Sequence, residues 1–212
     1  MYLFTRSVRL SPGHLVESAT WSANITEKVN QVTELETTLW TSVFSPGLGT
    51  LVWTTRVDEL AVLEASEAKL MADAGYVSLV DEGAKFSSGE AVDDALLQLV
   101  FADPDAANMP SQYATVVRAV LAPGSSVQGI ELGVDIAQRA RKITGRPTSF
   151  AVAATGDYGA VEWISLYESV QQLQTAQEAL AANADFGKFV DKEASKAYQT
   201  GVTQAAYRKI GI

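Results

Sequence analysis

The chain has 212 residues and a formal charge of −9, with 25 acidic and 16 basic residues, and 47% of its residues are hydrophobic. This composition can build a packed core and argues against disorder, whereas the scattered basic residues form no cationic patch of the kind that nucleic-acid binding requires. Cysteine is absent, which excludes disulfides, zinc–thiolate and iron–sulfur sites, and thiol catalysis.

The first half of the chain predicts strands and helices in the order β-α-β-β-α-β. Apolar residues recur every three or four positions in the predicted helices, and the predicted strands are rich in threonine, valine and tryptophan. A glycine turn at Gly47-Leu48-Gly49 joins the second and third strands as a hairpin. The predicted elements cover residues 2–10, 14–32, 37–44, 49–56, 57–74, 77–85 and 95–101.

The second half repeats this pattern. A shift of 111 residues pairs Pro12-Gly13 with Pro123-Gly124, and after one residue is lost in the hairpin turn a shift of 110 pairs Trp53 with Trp163. Because the register holds with a single gap inside a turn, the pattern indicates a duplication. The repeated elements cover 113–121, 125–143, 148–154, 159–167, 169–184, 187–196 and 202–210. We predict repeats at 1–102 and 112–212, joined by a linker at 103–111.

Each repeat has the element order of a ferredoxin-like unit, which predicts an α+β fold. One face of such a sheet stays apolar and needs a cover, which the other copy can supply. The chain resembles the dimeric α/β barrel superfamily in a tandem fused form. That group includes antibiotic-biosynthesis monooxygenases, muconolactone isomerases, NIPSNAP-type proteins and haem enzymes of the chlorite dismutase type. The resemblance implies an intramolecular barrel that can exist as a monomer or a homodimer.

Aromatic residues are the most informative candidates for a site. The first repeat carries Trp21, Trp40, Trp53 and Tyr2, and the second repeat replaces Trp21 with Leu132 and Trp40 with Ala151. The rings either fill the core or line a cavity between sheet and helices for a flat apolar ligand. The polar candidates for such a cavity are Arg6, His14 and Asn24.

No cofactor or metal is predicted. His14 is the only histidine, and its counterpart in the second repeat is Ser125. Haem-binding members of the superfamily carry their axial histidine on a later helix, where this chain has none. The adjacent carboxylates Asp93 and Asp94 are typical of a solvated surface and not of a shared metal site.

Three classes of function remain open from the sequence. The first is a barrel that binds a small apolar or aromatic molecule, and the second is a cofactor-independent monooxygenase or isomerase acting on a small aromatic compound. The third is a non-catalytic structural or interaction protein. Neither a signal-peptide pattern nor a long apolar run is present, so we expect a cytoplasmic protein with no membrane partner.

Overall fold

A computed structural model describes residues 1–47, 49–89 and 92–211. Within them, the strands are numbered in chain order and hydrogen-bond as β1 Tyr2–Arg9, β3 Thr50–Val57, β2 Thr37–Val43, β8 Thr203–Lys209, β5 Tyr113–Val120, β7 Ala160–Tyr167, β6 Thr148–Ala153 and β4 Asp93–Phe101, an order that closes as a barrel. Helices follow the first and third strands of each half. The prediction of an α+β fold built from two tandem ferredoxin-like repeats in one barrel is therefore confirmed. Leu48, a residue of the predicted hairpin turn, lies outside the described residues.

The chain packs as two compact units. Unit 1 comprises residues Met1–Leu96 and Arg208–Ile212, and unit 2 comprises Leu97–Tyr207. Most of β4 therefore belongs to unit 2, where Leu97 to Phe101 pair with Phe150 to Ala153 of β6. The predicted boundaries at 1–102 and 112–212 describe the sequence repeat and stay a prediction.

The elements of the first half run close to their predicted ranges. Strand β1 is antiparallel to β3, and β2 pairs with the other edge of β3. Side chains alternate across a strand, so Arg6 and its partner Trp53 share the face that the helices cover. The elements are β1 Tyr2–Arg9, α1 Leu15–Thr33, β2 Thr37–Val43, β3 Thr50–Val57, α2 Leu60–Ala72, α3 Ala74–Gly83, a 3₁₀ turn Ala84–Phe86 and β4 Asp93–Phe101.

The second half reproduces this order with the same strand register. Val117 of β5 pairs with Trp163 of β7, as Arg6 pairs with Trp53 in the first half. The elements are β5 Tyr113–Val120, α4 Ser126–Thr144, β6 Thr148–Ala153, β7 Ala160–Tyr167, α5 Val170–Ala182, α6 Ala184–Ala197 and β8 Thr203–Lys209. Across the described residues, none of these helices combines the length and the apolar character needed to cross a bilayer.

The helix pair after the hairpin is separated by a cap in both halves. The Asp73 carboxylate accepts a hydrogen bond from the Tyr76 backbone N–H at 2.8 Å, and the Asn183 side chain accepts one from Phe186 at 2.9 Å. Side-chain oxygens at an N-cap satisfy backbone donors that a helix start leaves unpaired. The third helix therefore begins three residues earlier in each half than the sequence predicts, at Ala74 and Ala184.

The segment between the repeats is anchored by a buried aspartate. Asp103 is 3% exposed, and its carboxylate accepts hydrogen bonds from the backbone N–H groups of Thr148 and Asp105. Arg141 Nε lies 3.2 Å from the same carboxylate, and the Asp103 backbone N–H donates to Ser149 Oγ. The start of the predicted linker is thus a packed part of unit 2.

A glycine on α4 gives the core of unit 2 its shape. Phe150 and Ala137 are fully buried there, and a Cβ built on Gly133 would lie 2.2 Å from Phe150 Cζ. The missing side chain lets the Phe150 ring reach the helix backbone, where it packs 5.2 Å from the Trp163 ring. In unit 1, Ser22 is the counterpart of Gly133 and Leu39 is the counterpart of Phe150, so the two cores fill equivalent positions with different side chains.

Gly133→Ala is expected to destabilise the protein by about 1–3 kcal/mol, because the new methyl group overlaps a side chain that cannot move in a filled core. Urea denaturation followed by circular dichroism measures the change. Gly187→Ala is the matched control, since Gly187 also lies in a helix and no atom lies within 4 Å of its built Cβ. Adding Phe150→Leu should remove most of the Gly133→Ala penalty. Equal effects of the two alanines would contradict this packing account.

Candidate ligand pocket in unit 1

A pocket of about 720 Å³ lies in unit 1, between the helix-facing side of its sheet and helices α1, α2 and α3. This volume falls in the range of small-molecule sites, roughly 300–1,000 Å³. Strands β1 and β3 supply one wall, and the three helices supply the others. Its apolar lining includes Phe4, Trp21, Ile25, Val29, Trp53 and Leu70.

Two tryptophans shape the apolar wall. The Trp21 and Trp53 rings meet edge to face, with centroids 5.9 Å apart. Trp21 Nε1 donates to the Leu79 carbonyl at 2.7 Å, and Trp53 Nε1 donates to Thr26 Oγ1 at 2.7 Å. Because both indole donors are occupied by the protein, the tryptophans offer a ligand only apolar ring surface.

The polar end of the pocket is built on an ion pair. Arg6 Nε and Nη2 donate to the two carboxylate oxygens of Asp94 at 2.8 and 2.7 Å. This two-point contact fixes the orientation of the guanidinium. The hydrogen bond to Asp94 raises the pKa of Arg6 above its ordinary value although burial opposes it. Arg6 therefore stays charged and acts as a hydrogen-bond donor, never as a base.

Glu67 and Tyr76 line the same pocket. Both contribute to the raised pKa of Arg6 through charge interactions. In the part of the chain that the structure describes, neither the Glu67 carboxylate nor the Tyr76 hydroxyl has a hydrogen-bond partner. The polar end therefore consists of Arg6, Asp94, Glu67 and Tyr76.

The predicted site residues separate into two groups. The pocket brings together Trp21, Trp53 and Arg6, whereas Trp40, Tyr2, His14 and Asn24 are not among its lining residues. Leu39 pairs with Trp53 and shares its sheet face, so the adjacent Trp40 lies on the face away from the pocket. The Trp40 indole donates to Thr54 Oγ1 at 3.0 Å. Asn24 is exposed on α1, and Tyr2 is partly buried at the start of β1.

His14 lies at the start of α1, outside this pocket. Its Nδ1 is 3.3 Å from Glu17 Oε2, and half of its side chain is exposed. No imidazole of the described residues lines the pocket, which does not fit a histidine-ligated haem. The described residues also contain no group of three histidine, aspartate or glutamate side chains placed to hold a metal ion.

Sequence reasoning missed three members of the polar end. Asp94 is exposed, as the sequence predicts, but its ion pair with Arg6 was not foreseen. Glu67 and Tyr76 are absent from the predicted set, although the repeat contains a signal for them. The shift of 110 places Gln177 opposite Glu67 and Phe186 opposite Tyr76. The second copy therefore has a neutral amide and an apolar ring where the first has a carboxylate and a phenol.

Comparison with known proteins supports the fold. No protein-family model and no curated protein matches the chain. A protein provisionally named a monooxygenase from Fusobacterium nucleatum is 9% identical, with a TM-score of 0.75 over 99% of this chain and 92% of its own. An anthrone oxidase-like protein is 10% identical, with a TM-score of 0.64 over 99% of this chain and 91% of its own.

A third similar structure belongs to a protein that is described differently. A haem-binding protein from Thermus thermophilus is 13% identical, with a TM-score of 0.57 over 99% of this chain and 91% of its own. Together the strand order and these likenesses show that the chain has a tandem α/β barrel fold. Because the sequence identities are low, these similar structures support the fold alone, and any activity must be inferred from the pocket.

Thr26→Val is expected to destabilise the protein by about 1–3 kcal/mol, because it leaves the buried Trp53 indole N–H without an acceptor. Thr20→Val is the matched control. Thr20 makes the same bond to the carbonyl four residues earlier but is exposed and accepts no indole donor. Urea denaturation measures both variants. If both changes cost the same, the indole hydrogen bond does not stabilise this wall.

Proposed function

We propose that unit 1 binds a small, flat, apolar or aromatic molecule in its pocket. The observation that carries this proposal is the combination of a cavity of about 720 Å³ with two tryptophans whose indole donors are already bonded to the protein. Ring faces and aliphatic side chains favour an apolar ligand, and a few polar groups at one end give orientation. The fold shared with a provisional monooxygenase and an anthrone oxidase-like protein is consistent with such a ligand.

Naphthalene is a suitable first probe, since it tests the apolar wall alone. Titrated into ¹⁵N-labelled protein, it should shift the indole N–H signals of Trp21 and Trp53 and leave that of Trp163 in place. At 100 times its dissociation constant it should add about 2.7 kcal/mol of stability. Shifts at Trp163 only, or no shift at saturation, would favour the alternative of a non-catalytic structural protein.

Val29→Phe should weaken naphthalene binding about tenfold or more, since the larger ring occupies pocket volume and each tenfold loss corresponds to about 1.4 kcal/mol. Val29 lines the pocket and packs on its core. Val16→Phe on the same helix is the matched control, because Val16 is 79% exposed and outside the pocket. Equal affinities of the two variants for naphthalene would place binding elsewhere.

A second candidate function is cofactor-independent oxygenation or isomerisation of an aromatic compound. The specific observation in its favour is that the carboxylates of Asp94 and Glu67 and the guanidinium of Arg6 line the same pocket as the indoles. A carboxylate can take a proton from an acidic C–H group, and the guanidinium can stabilise the enolate that forms.

Anthrone tests the oxygenase alternative, since one anthrone and one O₂ give one anthraquinone and one water. An oxygenase should consume oxygen in step with the rise of anthraquinone absorbance. Removing the pocket's proton acceptors by Asp94→Asn and Glu67→Gln should lower that rate about 100-fold, the lower part of the range for general-base catalysis. If oxygen is consumed no faster than in the absence of protein, anthrones are excluded as substrates of the oxygenase alternative. The binding proposal is unaffected, because the naphthalene titration tests it separately.

A further inference from the structure

The Tyr76 hydroxyl is a polar group with no protein partner at the wall of the pocket. The Tyr76 residue is 7% exposed, yet its hydroxyl makes no hydrogen bond to the described residues. Every fully buried side-chain nitrogen or oxygen of those residues has a partner, so this hydroxyl remains accessible. Since Tyr76 lines the pocket, the hydroxyl is available to a molecule bound there.

The repeat shows that this hydroxyl is not required to pack the fold. The backbone N–H groups of Tyr76 and Phe186 make equivalent capping bonds, to Asp73 and Asn183, so Phe186 is the counterpart of Tyr76. Val117 is likewise the counterpart of Arg6, because each pairs with the repeated tryptophan. The same fold is therefore built in unit 2 with apolar residues at both positions, and the polar groups belong to the pocket of unit 1.

Arg6 has donors left for a ligand. A guanidinium carries five N–H groups, and the Asp94 carboxylate takes one from Nε and one from Nη2. Arg6 and Tyr76 line the same pocket, and a charge interaction between them contributes to the raised pKa of Arg6. Together they can bind one oxygen atom of a ligand from two directions, with Asp94 holding the guanidinium in place.

The charges at this end disfavour an anionic ligand. The charged residues among the pocket's described lining are Arg6, Asp94 and Glu67, which sum to −1. The chain as a whole carries −9. A carboxylate head would meet a guanidinium already neutralised by Asp94 and the negative charge of Glu67 nearby, whereas a neutral hydroxyl or carbonyl would meet donors at no such electrostatic cost.

We propose that Tyr76 and Arg6 form a recognition site for a neutral oxygen-bearing head group, so that the pocket selects uncharged aromatic alcohols and ketones over hydrocarbons and carboxylates of the same size. The inference rests on the proposed function, since it assigns the head group of a ligand whose body lies against Trp21 and Trp53. Asp94 and Glu67 act through charge: the first orients Arg6, and the second repels anions.

Naphthalene, 2-naphthol and 2-naphthoate test this inference, because they share one ring system and differ only in the head group. In titrations of ¹⁵N-labelled protein at neutral pH, 2-naphthol should bind about tenfold more tightly than naphthalene, as expected for one or two net hydrogen bonds. The ionised 2-naphthoate should bind more weakly than 2-naphthol. Tyr76→Phe should lower affinity for 2-naphthol about tenfold and leave affinity for naphthalene unchanged.

Tyr158→Phe is the matched control, since Tyr158 is 98% exposed on the hairpin turn of unit 2. A Glu67→Gln variant should narrow the gap between 2-naphthol and 2-naphthoate. Failure of naphthalene to bind would reject the proposed function itself. If naphthalene binds but 2-naphthol has no advantage, if 2-naphthoate binds as well as 2-naphthol, or if Tyr76→Phe lowers both affinities equally, the recognition site is wrong while the apolar pocket stands.

Discussion

The indole N–H of the repeated tryptophan must find an acceptor inside each unit, because a buried donor left unpaired costs about 1–3 kcal/mol. In both units the acceptor lies on the first long helix, α1 in unit 1 and α4 in unit 2, but the accepting atom differs. In unit 2, Trp163 donates to the Gly133 backbone carbonyl at 2.8 Å. In unit 1, Trp53 donates to the Thr26 hydroxyl at 2.7 Å, which in turn donates to the Ser22 carbonyl.

The aromatic residues around this tryptophan are distributed differently in the two units. In unit 2, Phe150 and Tyr198 pack on either side of Trp163, with centroids 5.2 and 5.3 Å from its ring. The Tyr198 hydroxyl donates to the Gly129 carbonyl, so that aromatic group is also fully bonded. In unit 1, Trp21 packs on Trp53 and both contribute to the wall of a pocket. A duplicated fold thus carries one copy with a filled aromatic core and one with an aromatic-walled cavity.

The polar residues at the pocket are also distributed differently in the two units. Unit 1 places a charged pair, and a phenol with no hydrogen-bond partner among the described residues, in its pocket. Unit 2 has valine and phenylalanine at the positions equivalent to Arg6 and Tyr76. Polar groups that a protein does not satisfy internally are retained at a stability cost. Because unit 2 packs with apolar residues at the equivalent positions, these polar groups are not required for folding, which supports the proposed role of this end of the pocket in ligand recognition.

Much of the architecture was determined by the sequence itself, because helical and strand periodicities are local and the 110-residue repeat registers the elements of one half against the other. The equivalence of Trp53 and Trp163 in the two repeats and the order of the elements follow from the sequence alone. Only the tertiary structure decided that Asp94 binds Arg6, and that the pocket is lined by the sheet face carrying Arg6 and Trp53 and not by the face carrying Trp40. The reason is physical: a sequence pattern gives each residue's face on its own element, whereas a pocket and an ion pair between β1 and β4 depend on which faces of distant segments meet, and 88 residues separate Arg6 from Asp94.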